Sequence, residues 1–127
     1  MLGIVLVFIG AGCGGVLRHG VNILAPRLLG TGFPAGTLII NVSGSFLIGV
    51  VAGWLAFKAD IAWSTSVRLF IITGILGGFT TFSAFSLDVA LLVERGQTGL
   101  AALYVGSSVT FSLVGVFAGL ALMRALA

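Results

Sequence analysis

The sequence predicts an all-α membrane protein of four transmembrane helices, on three observations. Of 127 residues, 59% are hydrophobic and only 7% are charged, against about 25% charged in a soluble domain. Twenty glycines accompany a mean hydropathy of +1.29. Charge, proline and glycine then cut the chain into four apolar runs, each long enough to cross a ~30 Å hydrocarbon core, which needs roughly 20 residues.

Span 1 covers residues 2–24 and stops before Ala25-Pro26-Arg27. Its start, "MLGIVLVFIGAGCGG", lacks both the basic first region and the A-x-A cleavage site of a signal peptide, so it reads as a retained span. The single Cys13 excludes an intrachain disulfide and cannot build a metal site alone; it reads as a small residue in an apolar helix. Span 2, residues 34–57, begins at Pro34, a helix-initiating position for proline, and ends before Lys58 and Asp60. Span 3, residues 66–93, ends at Glu94-Arg95-Gly96. As one straight helix of about 28 residues it would measure roughly 42 Å, more than the hydrocarbon requires, and a break near its middle, at Gly77-Gly78, absorbs the excess. Span 4 covers residues 98–126. The loops are short, so neighbouring helices run antiparallel, and residues 1–127 read as a single four-helix transmembrane domain.

Net charge is +3, but the basic residues stand singly, at Arg18, Arg27, Lys58, Arg68, Arg95 and Arg124. No run or stripe among them marks a nucleic-acid surface. Four spans place Lys58, Arg68 and Arg124 on one side of the membrane and Arg18, Arg27 and Arg95 on the other. Orientation normally follows an excess of Lys and Arg on one side; an even division predicts insertion in both senses and pairing as an antiparallel, dual-topology homodimer. Glycines four apart (Gly10 and Gly14, Gly49 and Gly53, Gly74 and Gly78, Gly115 and Gly119) let helix backbones approach closely in lipid.

Polar residues lie in stripes. Thr37, Asn41 and Ser45 fall at i, i+4 and i+8 of span 2, on one helix face. Asn41 lies about 10 Å into the span; its amide serves either as interhelical glue or as a donor to an anion. Tyr104, Ser108 and Ser112 repeat the spacing in span 4, as a ladder of hydroxyl donors replacing an ion's water or as hydroxyls bonded back to their own helix. In "GILGGFTTFSAFS", residues 74–86, the carbonyls freed at a break near Gly77 to Thr80 are oxygen ligands for a hard cation, unless the glycines form only a kink. Irregular backbone at that depth must be buried in protein or line a wet cavity. An aromatic ring has a positive edge, so Phe82 and Phe85 either present that edge to an anion or simply pack, while Phe79 reads as packing alone. Arg18 either snorkels to the interface or concentrates anions in a vestibule. No acid sits at the centre of a span, where a proton-coupled transporter usually carries a titratable group, and this favours passive conduction.

The motifs "GTLIINVSGSFLIG" and "GILGGFTTFSAFS", the arginine closing "GAGCGGVLR", and the overall length resemble the fluoride channel family called CrcB or Fluc, over essentially the whole chain. Composition alone does not specify fluoride. The resemblance implies a non-enzymatic, fluoride-selective channel in the cell inner membrane: an antiparallel homodimer with two parallel pores and a structural sodium ion at the dimer interface. By position, Asn41 matches the family's pore asparagine, and Phe82 and Phe85 its edge-on phenylalanines. Gly77 and Thr80 match the positions whose backbone carbonyls hold sodium, Tyr104, Ser108 and Ser112 the polar track, and Arg18 the vestibule arginine. Ala84 departs from a threonine common in the family, Asp88 from a frequent glutamate, and His19 from a frequent aromatic.

The expected mechanism is relief of fluoride toxicity. Fluoride enters an acidified cell as neutral HF, loses its proton inside, and leaves through an open pore driven by the inside-negative potential. A small multidrug or cation exporter is the rival of similar size, but its chemistry needs a carboxylate in span 1, which has none. A non-transporting assembly subunit predicts polar residues scattered among faces, not stripes.

Overall fold

The structure, a computed structural model, describes residues 1–58 and 61–127; Asp60, expected in the second loop, lies outside them. Helix α1 (Leu2–Leu29) is followed by α2 (Ala35–Phe57). The third crossing is composite: α3 (Ile61–Val67), a π-helical stretch (Arg68–Leu76), one turn designated α4 (Gly77–Phe79), two extended residues, and α5 (Phe82–Glu94). Helix α6 (Thr98–Leu126) completes the chain. Among the described residues, four segments are long and apolar enough to cross a membrane: Leu2–Leu29, Ala35–Phe57, Ser64–Glu94 and Thr98–Leu126.

The first helix outruns its expected end at residue 24 and carries Pro26 in its last turns. Proline there removes one N–H near a helix end and leaves the following residues free to stay helical. The stop comes at Gly30, whose φ of 83° is glycine's territory, with its N–H donating to the Pro26 carbonyl at 3.0 Å. Helix α2 starts where Pro34 predicts, and the Leu38 N–H donates to the Pro34 carbonyl.

Lipid supplies no hydrophobic force between helices, so packing falls to close backbone contact. The four glycine pairs supply it. A Cβ on Gly10 would stand 2.5 Å from the Phe70 carbonyl oxygen, and one on Gly78 2.5 Å from that of Ala11. A Cβ on Gly49 would overlap the Val116 carbonyl, and one on Gly119 that of Phe46. The pairs thus seat α1 on the third crossing and α2 on α6. A second cluster joins α5 to α6 through Phe85, Leu92, Ala101 and Tyr104. Large apolar side chains such as Phe8, Phe82 and Phe117 remain 79%, 78% and 69% exposed.

The break in the third crossing exists, but it is displaced from the expected glycines. Gly77 is helical, at φ −65° and ψ −38°, and the chain becomes extended only at Thr80 (φ −77°, ψ 157°) and Thr81 (φ −156°, ψ 117°). The reason is steric. Gly74 and Gly78 are needed for contact with α1, whereas β-branched threonines suit extended backbone. Thr81 then restarts the helix as its N-cap, its Oγ1 accepting from the Ala84 N–H at 3.1 Å.

Candidate functional site

The break is held from outside by α2. Asn41 donates from Nδ2 to the Thr81 carbonyl at 2.9 Å and accepts the Thr81 N–H on Oδ1 at 2.8 Å. In an unbroken helix the Thr81 N–H would bond the Gly77 carbonyl, and the Ala84 N–H the Thr80 carbonyl. Both donors are diverted, the first to Asn41 and the second to Thr81 Oγ1. The Gly77 and Thr80 carbonyls therefore lose their regular partners, and Gly77 lies on an exposed face. Two released carbonyl oxygens fit a hard cation, the kind of ligand that replaces a hydration shell in selectivity filters.

Gly44, one turn beyond Asn41 on α2, is where the break rests. A Cβ there would overlap Thr80 Cγ2 and stand 3.4 Å from Phe79 Cδ1. Thr80 cannot turn away freely, because its hydroxyl donates to the Leu76 carbonyl at 2.9 Å. Gly44→Ala is expected to lower the thermal unfolding midpoint in detergent by the equivalent of about 1–3 kcal/mol, the cost of overpacking; an unchanged midpoint would contradict this contact.

Beside the break lies a cavity of about 340 Å³. Its walls bring together Asn41 and Ser45 from α2, Thr80, Phe82 and Phe85 from the third crossing, and Ser108 and Ser112 from α6. The Phe82 and Phe85 rings are 5.5 Å apart at 47°; Phe85 is buried and Phe82 is exposed at the cavity's edge. The hydroxyls sort into two groups. Ser43, Ser86 and Ser107 bond back to carbonyls of their own helices at 2.6, 3.0 and 2.7 Å. Ser108, on the cavity wall, does not: its Oγ is buried without a hydrogen-bond partner among the described residues.

The other predicted residues lie elsewhere. Tyr104 is fully buried behind Phe85, with ring centroids 5.1 Å apart, and meets Phe33 edge-on at 5.5 Å. Its hydroxyl donates to Asp88 Oδ2 at 2.9 Å. Asp88 belongs to a second cavity, of about 230 Å³, that also meets Thr37, Asn22 and Arg95. Thr37 thus lines this second cavity, and Tyr104 reaches it only through its bond to Asp88. Arg18 is half-buried on α1 and lines neither cavity. Sequence reasoning missed Thr81 and Asp88 as site residues. Thr81 carried a signal, a threonine three residues before Ala84 at a helix restart; Asp88 carried none, since its partner comes from another helix.

Four membrane-crossing segments among the described residues, one interrupted beside a small, largely apolar cavity that carries a few neutral polar groups, define a membrane protein built to pass a small ion. The family described as "CrcB-like protein, Camphor Resistance (CrcB)" matches residues 5–120, and the chain belongs to it. It is 59% identical over 121 residues to a protein of Nitrobacter hamburgensis named fluoride-specific ion channel FluC 2, covering 94% of each chain. Its identity to the fluoride-specific ion channel FluC of Rhodopseudomonas palustris (strain BisB5) is 60% over 121 residues, covering 95% of this chain and 96% of that one. A protein of the same name from Methylobacterium nodulans is 56% identical over 126 residues, with 98% of each chain covered.

Proposed function

We propose that this chain conducts fluoride passively out of the cell across the inner membrane, as an antiparallel homodimer of four-helix units. The observation that carries the reading is the buried, unpartnered Ser108 hydroxyl in a cavity whose other polar groups are neutral. A buried donor without a partner costs free energy, and a small anion seated there removes the cost. Asn41 retains one amide hydrogen after serving Thr81, and Ser45, Ser112 and the ring edges of Phe82 and Phe85 complete the neutral lining. With no charged side chain in this lining, binding stays weak enough for the ion to leave. Tyr104 bounds the path at the Asp88 end, and Arg18 raises anion concentration near its mouth.

The dimer reading is supported by Phe82, a cavity-lining residue that is 78% exposed, and by the even division of basic residues. A second copy covers this face and contributes its own Gly77 and Thr80 carbonyls to a shared sodium site. Gly77 and Thr80 would hold sodium through backbone oxygen alone, and the ion would supply positive charge where the two breaks meet.

The test is efflux from liposomes loaded with fluoride or chloride. Fluoride is expected to leave at least about a hundredfold faster than chloride, consistent with a site discriminating by ~3 kcal/mol. Phe82→Ile removes the ring edge and is expected to reduce fluoride efflux by about tenfold or more, the equivalent of ~1.4 kcal/mol. Equal rates for the two anions, or no flux from the wild type, would sink the channel reading.

A further inference from the structure

We infer that Asn41 and Thr81 are positioning residues for the cation site, and that Asn41 belongs at once to the anion cavity and to the cation-binding break. Only one hydrogen is available on the Thr81 nitrogen, and three groups compete to place it. It can close the helix onto the Gly77 carbonyl, turn to water, or bond Asn41 Oδ1, as it does at 2.8 Å. The return bond from Asn41 Nδ2 to the Thr81 carbonyl, at 2.9 Å, makes the capture two-point and fixes the plane of the Thr81 peptide units. Loss of Asn41 leaves the Thr81 N–H in need of an acceptor in a span surrounded by apolar groups, and the Gly77 carbonyl is the one the helix offers. The Thr81 side chain does the same for the next carbonyl: its Oγ1 takes the Ala84 N–H, which would otherwise return to Thr80.

The two diversions are independent in donor and acceptor, yet they free two carbonyls three residues apart, those of Gly77 and Thr80, among the ones the break releases. Asn41 lines the anion cavity as well, so a single side chain on α2 orients an anion-facing amide hydrogen and keeps a cation ligand open. Ser45, one turn further along the same face and on the same cavity wall, makes no bond to the break. The inference rests on the cation reading of Gly77 and Thr80 given above.

The experiment uses the full-length protein in detergent. Its thermal midpoint is followed while sodium replaces N-methylglucamine at constant ionic strength, so a ligand that binds only the folded state raises the midpoint. Wild type is expected to show a saturable rise. Asn41→Ala is expected to need about 10- to 100-fold more sodium for half the rise, the range for losing a residue that orients a metal ligand. Thr81→Val is expected to move the requirement in the same direction, and it carries the test where Asn41→Ala does not fold. Ser45→Ala is expected to keep the wild-type requirement. Gly53→Ala, which meets Met123 Cβ at 2.8 Å far along α2, is expected to lower the midpoint in both salts without changing the sodium needed. A wild type indifferent to sodium overturns the cation reading and this inference together. A sodium-responsive wild type with an unchanged requirement in Asn41→Ala overturns the inference alone, as does a Gly53→Ala variant whose sodium requirement rises as much as that of Asn41→Ala.

Discussion

Gly14→Ala is expected to abolish stable assembly of the protein, the largest loss foreseen for a single added methyl group. A Cβ at residue 14 would overlap the Ile75 carbonyl oxygen and stand 2.7 Å from the Phe79 nitrogen. Both atoms are backbone, so no rotamer change relieves the clash, and α1 must move away from the third crossing. Overpacking a core side chain costs about 1–3 kcal/mol and occasionally more; here the displaced element also carries the break. The measurement is the monodisperse fraction in size-exclusion chromatography together with the thermal midpoint. Gly12→Ala is the control, because a Cβ there meets nothing within 4 Å, and it is expected to behave as wild type. Equal behaviour of the two variants would refute the packing account.

Ser108→Val is expected to separate stability from transport. Valine replaces the buried hydroxyl, which has no partner among the described residues, with a methyl group and adds a second methyl at Cβ. Relieving an unsatisfied polar group is worth about 1–3 kcal/mol, less whatever strain the extra methyl adds, so the thermal midpoint is expected to hold or rise. Fluoride efflux is expected to fall roughly ten- to hundredfold, since a hydrogen bond to a charged group contributes about 1.5–3 kcal/mol and each 1.36 kcal/mol is a factor of ten. Ser107→Ala, whose hydroxyl is occupied by the Leu103 carbonyl at 2.7 Å, is expected to leave efflux unchanged. A destabilised Ser108→Val variant with normal flux would remove Ser108 from the pathway.

The neighbouring serines show what sequence periodicity can and cannot reveal. Residues 107 and 108 are chemically identical, and both can reach a carbonyl one turn back. Spacing to Tyr104 and Ser112 singles out Ser108, and the structure leaves that hydroxyl unbonded while Ser107 bonds back. The same spacing groups Tyr104 with Ser108, yet four residues of helix rise about 6 Å, and over that length the stripe passes from the cavity into the α5–α6 core. There Phe85 and Phe33 cover the ring and Asp88 takes the hydroxyl. Asn41 divided between two readings, glue and ion donor. In the structure it serves as glue through both amide ends and still faces the cavity.

By itself the sequence determined the number of spans, their antiparallel succession, the glycine contacts and the presence of an interruption in the third crossing. These depend on quantities each segment carries alone: its apolar length against the hydrocarbon thickness, and the absence of Cβ atoms at four-residue spacing. Only the tertiary structure decided that the interruption falls at Thr80 and Thr81 instead of Gly77 and Gly78, that nine residues before it are π-helical, and that Tyr104 answers to Asp88. At the break and at Tyr104 the outcome is also a competition for a hydrogen bond between different helices, Thr81 with Asn41 of α2 and Tyr104 of α6 with Asp88 of α5. The winner is set by which partner packing brings within 3 Å, a distance that no local pattern encodes.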